Sequence, residues 1–251
     1  ANDLLIIKKY SKKEPKRSEA LYFFYYLTIV FLGFVFFYVF PSIALLTFVI
    51  VSIYHFGEQH WEVNLSKSDY VNLNKIFLFI FHGIIFFTII FMNNLKIVNE
   101  VLSSFNINPL ENYYLVLALI VFSILYFLFL LYLKNLRKYL FSEGIFFSLL
   151  FLLTINTTLI FGFAIYFIFF HSLLSIKDQI KFIYDDDNPK NLKKYIITSM
   201  PYFILALTFL LIFYLVVDFE KINLLPIIFT FLAAITFPHV LVIEKMYRHC
   251  L

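Results

Sequence analysis

Long apolar runs separated by short polar breaks set the rhythm of this chain, at roughly residues 21–40, 42–57, 76–92, 114–133, 140–156, 158–176, 197–217 and 224–243. A helix of about 20 apolar residues matches the thickness of a bilayer's hydrocarbon core. Backbone polar groups in hydrocarbon must be satisfied within the spanning structure, so spans are helices or closed barrels. A barrel strand would alternate apolar and polar positions every second residue, and these runs do not. The stretch from Phe141 to Ile176 is too long for one crossing, and Asn156, Thr157 and Thr158 near its centre mark the reversal. Pro41 separates the first two spans, because proline lacks a backbone donor and disfavours helix in the residue before it. The pattern predicts an all-α fold: a polytopic transmembrane helical bundle of about eight spans, forming one integral membrane domain over residues 1–251.

Composition agrees with lipid as the solvent, since 62% hydrophobic and 14% charged residues exclude an ordinary water-facing surface. Charge adds a direction. Alternating the sides of eight spans gathers all of the 20 Lys and Arg residues except Lys96 and Lys221 on one face. The positive-inside rule makes that face cytoplasmic, and it supports an even number of spans independently of hydropathy. The net charge of +4 is therefore a topology signal. Its residues are dispersed over juxtamembrane loops, so attraction to anionic lipid accounts for them and nucleic-acid binding is not expected. The single cysteine, Cys250, excludes an intrachain disulfide framework or a cysteine-built metal site. Asp185, Asp186 and Asp187, followed by Asn188 and Pro189, read as a solvated turn, and Lys190, Lys193 and Lys194 as a juxtamembrane helix start.

Six histidines carry the candidate chemistry. His55 lies where the second span emerges, with His60 five residues on; His82 lies within the third span, His171 ends the sixth and His239 nears the end of the eighth, while His249 is almost terminal. By the sidedness argument His55, His60, His82, His171 and His239 share one depth, toward the cytoplasmic face. Imidazole is costly in hydrocarbon without a partner. It is also a neutral nitrogen ligand suited to iron, copper and zinc. Histidines on separate helices at one level are what a buried metal site requires; hydrogen bonding to neighbouring helices is the alternative. His55 and His60 stand about 140° apart around an ideal helix, so both face one metal only if the helix ends or unwinds at Gly57. Glu58, Glu62 and Glu143 are placed to orient ligand histidines, although hydration at the interface is the commoner state of such carboxylates. Lysine is absent from the span interiors, which disfavours a retinal Schiff base. No matched pair of Gly- or Pro-broken spans marks a transport site.

The runs His55-Phe56-Gly57, His82-Gly83, Phe170-His171-Ser172 and Pro238-His239-Val240, in this order along nearly the whole chain, resemble the Brp/Blh family of membrane β-carotene 15,15'-dioxygenases. The resemblance implies a polytopic helical protein that holds non-haem Fe(2+) through histidines and cleaves β-carotene with dioxygen at its central double bond, giving retinal. It implies His55 and His171 as iron ligands, with His82 and His239 at matching positions. Ala1-Asn2-Asp3 resembles the tail of the family's first motif, Pro-His-Gly followed by Ala, any residue and Asp. That match implies an upstream helix carrying one further ligand histidine, and Asp3 as a group that orients a ligand. Two positions depart from the family pattern: His60 stands where Asp is frequent, and Ser175 where a second ligand histidine follows the one matching His171. Either His60 restores a ligand from a different position, or the protein has lost this chemistry.

Such a reaction needs an apolar channel beside the metal, which the 36 Phe and 18 Tyr are able to line, though aromatic packing and interfacial belts also account for them. The expected partners are a carotenoid entering from the bilayer and dioxygen, and the expected location is a bacterial cell membrane. The competing function is a non-catalytic membrane protein that binds a carotenoid, lipid or ion, with structural histidines.

Overall fold

A computed structural model describes residues 2–13, 19–62, 65, 72–217 and 224–250. Lys16, Arg17, Lys67 and Lys221, used above for sidedness, lie outside the described residues, as do Ala1 and the side chains of Asn2, Lys12, Lys13, His249 and Cys250. Among the described residues there is no strand. The helices are α1 (Asn2–Lys13), α2 (Glu19–Val39), α3 (Pro41–Glu62), α4 (Asn72–Asn93), α5 (Leu95–Ser104), α6 (Asn112–Tyr132), α7 (Leu140–Ile155), α8 (Leu159–Tyr166), α9 (Leu173–Tyr184), α10 (Pro189–Val216) and α11 (Leu224–Cys250). A 3-10 turn at Lys134–Tyr139 leads into α7, and a π-helical segment at Phe167–Ser172 joins α8 to α9. Eight of the resulting stretches are long and apolar enough to cross a membrane, so the chain is an integral membrane helical protein. Apolar side chains left exposed, such as Leu205, Phe209 and Leu215 of α10, are what a lipid-facing surface requires.

The breaks fall where the sequence places them. Pro41 opens α3, and Ile155 closes α7. Thr158 caps α8, its hydroxyl accepting from Phe161 N. Asn188 caps α10 by accepting from Asn191 N at 2.9 Å, with Pro189 in the first turn, where its missing N–H costs nothing. Asp185 sits at φ 66°, consistent with the expected turn, and pairs with Lys9 at 3.1 Å. The helices overshoot the apolar runs: the sixth span continues to Tyr184 and the seventh begins at Pro189. Helical hydrogen bonding does not stop where hydrocarbon does.

The chain forms two compact units, residues 41–173 and residues 1–40 with 174–251. In the first, α3 and α4 cross at backbone contact. A Cβ on Gly57 would stand 1.9 Å from the carbonyl oxygen of Phe79, and one on Gly83 would stand 1.9 Å from that of Ile53. Each glycine thus faces the carbonyl of the residue four before the other, the close approach that small residues permit between membrane helices. Around the crossing, Phe56, Trp61, Phe79, Phe86, Tyr126, Leu130, Phe147 and Tyr166 belong to one buried cluster.

In the second unit, Gly33 of α2 packs on Ala234 of α11, with only 3.1 Å to the latter's Cα from an added Cβ. Helix α1 is not a span. It buries Leu5, Ile6, Ile7 and Tyr10 and leaves Lys8 exposed. Ile6 and Tyr10 join Phe182, Ile243, Met246 and Tyr247 in a core cluster. The helix forms because its short apolar start lines one face, which finds a tertiary surface to cover.

Candidate functional site

In the unit of residues 41–173, His55 comes from α3 and His171 from the π-helical segment. Their ring centroids lie 5.4 Å apart, and the residues are 1% and 5% exposed. The His171 ring is stacked on Phe167 at 4.7 Å and tilted against Phe56 at the same distance, which restricts its orientation. Single-turn π segments inside α-helices recur at functional sites because they re-aim a side chain and loosen the carbonyl ladder. Here the His171 carbonyl accepts from the buried amide Nε2 of Gln59 at 2.8 Å, tying α3 to the segment that carries the second histidine. Glu58 is buried one turn after His55, with its Oε2 3.6 Å from His55 Nδ1.

Helix α3 runs unbroken through Gly57 to Glu62, so the unwinding that would turn His55 and His60 to one metal does not occur. His60 meets a different set. Its ring stacks on that of His82 from α4 at 4.0 Å, and its Nε2 lies 2.8 Å from Oε1 of Glu143 in α7. His82 Nδ1 lies 3.3 Å from Glu143 Oε2 and from the Tyr126 hydroxyl of α6. Tyr126 donates to Glu143 Oε2 at 2.6 Å and accepts from Trp61 Nε1 at 3.1 Å. His60, His82 and Glu143 each offer a ligand atom, and the three lie within 4.8 Å of one another.

The remaining predicted residues belong to the other unit. His239 Nδ1 lies 2.8 Å from Asp3 Oδ1, and Asp3 also accepts from the Tyr26 hydroxyl at 3.0 Å. Ser175 is buried and accepts from Gln179 Nε2 at 2.9 Å, while Gln179 accepts from the Tyr195 hydroxyl at 2.6 Å. A hydrogen-bonded serine thus fills the position where the family pattern has histidine.

Sequence reasoning underrated the carboxylates and missed Gln59 and Tyr126. Glu58 and Glu143 are 2% and 4% exposed, buried where interfacial hydration was expected. A lone acid at the head of an apolar run, Leu140-Phe141-Ser142-Glu143, was the available signal. Nothing distinguishes Tyr126 from the other tyrosines until α6 is packed against its neighbours.

The chain matches the family model described as beta-carotene 15,15'-dioxygenase over residues 1–247. No curated protein and no solved structure matches it. A match across nearly the whole chain, over a bundle that buries the motif histidines His55, His82 and His171 within its spans, means that the chain belongs to the beta-carotene 15,15'-dioxygenase family.

Proposed function

We propose that this protein cleaves β-carotene at its central double bond with dioxygen, in an iron-dependent reaction that gives two molecules of retinal. One dioxygen supplies both aldehyde oxygens, so the reaction needs no added reductant. The observation that carries the reading is the buried His55–His171 pair within a chain matched throughout by the family model. Two neutral imidazoles from separate helices fit Fe(2+), because they place no negative charge in a low-dielectric region. Bound Fe(2+) with an open coordination position supplies the means of activating dioxygen. The protein's own part is to hold the two rings: Phe56 and Phe167 confine His171, and Gln59 anchors its backbone. His239, with Asp3 beside it, remains a further candidate. The site lies toward the cytoplasmic face of a bacterial cell membrane.

A recess of about 560 Å³ in the same unit, walled by Ile85, Ile89, Leu119, Phe127, Phe147 and Phe151, is apolar enough for part of a hydrocarbon chain. It reaches Phe147, whose ring is 5.1 Å from His82. Ser175, placed where the family has histidine, favours the second reading, a carotenoid- or lipid-binding protein without catalysis.

Expression in a β-carotene-producing bacterial host decides between them. Retinal should accumulate with the wild type and fall at least about a hundredfold with His55→Ala or His171→Ala, the scale expected when a metal centre is lost. Intact carotene together with membrane-inserted protein that carries no iron would establish the non-catalytic reading.

A further inference from the structure

We propose that His60, His82 and Glu143 form a divalent transition-metal site of their own, with ligands distinct from the His55–His171 pair. The set comes from three elements of one unit, α3, α4 and α7, brought together by the glycine-mediated crossing of α3 and α4 and by the packing of α7 on α4. Ligand bonds to nitrogen and carboxylate oxygen are about 2.0–2.2 Å, so atoms sharing one ion lie at most about 4.4 Å apart. The separations of 2.8 Å from His60 Nε2 to Glu143 Oε1 and 3.3 Å from His82 Nδ1 to Glu143 Oε2 fall inside that limit. Two imidazoles and one carboxylate are the donor set of many non-haem Fe(II) centres, and they also suit zinc.

Two observations go beyond a hydrogen-bonded clasp. Glu143 lies in a membrane-spanning helix, 4% exposed, and its ion-pair partners among the described residues are imidazoles, with no Lys or Arg. A carboxylate in that setting needs positive charge nearby. A divalent ion supplies it without requiring two stacked rings, centroids 4.0 Å apart, to share protons. The second observation is His82 Nε2, which is fully buried and has no hydrogen-bond partner among the described residues. The Trp61–Tyr126–Glu143 chain satisfies every polar atom it reaches but leaves this nitrogen open. A buried imidazole nitrogen left unpaired is costly; a metal bound at Nε2 would satisfy it, whereas one bound at Nδ1, the atom 3.3 Å from Glu143 Oε2, would leave it open.

Metal analysis of the intact, detergent-purified protein loaded with Fe(2+) or Co(2+) tests this. Glu143→Gln and His82→Asn should each carry one ion fewer per chain than the wild type, with loss of one set of Co(2+) visible absorption bands. Tyr126→Phe, which removes a hydrogen bond to Glu143 but no ligand, should keep the full complement. His55→Ala should lose a different ion, so failure of the activity reading and failure of this one are separable. If Glu143→Gln and His82→Asn bind as much metal as the wild type, or if the wild type holds no ion beyond the one lost in His55→Ala, the second site does not exist and the cluster is a structural clasp. A protein that fails to fold as Glu143→Gln leaves the wild-type stoichiometry and spectrum to decide.

Discussion

Gln59 shows how much a single side chain carries at the residue scale. Its amide reaches from α3 to the carbonyl of His171, and that carbonyl belongs to the π segment. Side-chain hydrogen bonds between membrane helices average only about 0.6 kcal/mol, so Gln59→Leu should barely lower thermal stability. Groups that orient a metal ligand have a larger effect on binding, typically about 10–100-fold. The expected outcome is therefore a split: iron affinity, read by titration against a chelator, falls by that factor while the melting temperature moves by only a few degrees. Equal losses in both would mean that Gln59 is a packing residue. Glu143 gives the converse lesson. Its charge invited a surface reading, but a carboxylate that accepts from Tyr126 and meets two imidazoles has replaced its water shell with side chains.

The α3–α4 crossing governs the site at the element scale. Two reciprocal glycines let the backbones touch, and the same contact sets His60 on one helix against His82 on the other. Gly83→Ala would drive a Cβ to 1.9 Å from a backbone oxygen, which no rotamer change relieves. Overpacking of this kind costs about 1–3 kcal/mol or more, so the variant should give a lower yield of monodisperse protein in detergent and a melting temperature reduced by several degrees. Gly144→Ala is the control, because a Cβ there meets nothing within 4 Å and should leave both unchanged. The glycines of His55-Phe56-Gly57 and His82-Gly83 were legible as motif letters. Their purpose was not, since a close approach depends on which two helices meet. The π segment was equally hidden: it shifts the hydrogen-bond register of an apolar helix without leaving a compositional mark at Phe167–Ser172.

Eight spans with basic residues gathered on alternate loops predict sidedness at the scale of the whole molecule. With Cys250 replaced by serine, a cysteine at Asp186 should react with an impermeant thiol reagent only from the cytoplasmic side, and one at Asn106 only from the opposite side. The reverse pattern would place the histidines near the other leaflet and overturn the proposed location. The spans, their breaks at Pro41, Asn156–Thr158 and Pro189, and the placing of His55, His82 and His171 within spans or at their ends were all determined by sequence alone. Partitioning into lipid depends on the summed hydrophobicity of a local segment, and a break depends on one or two residues, so neither needs knowledge of a distant partner. Which histidines are neighbours was decided only by the tertiary structure. Shared depth left His60 free to join His55, but an unbroken α3 turned it toward His82 and Glu143, while His171 came to His55. Depth is a property of one helix in a membrane; proximity is a property of helix pairs, set by glycine contacts and side-chain packing between residues far apart in the chain.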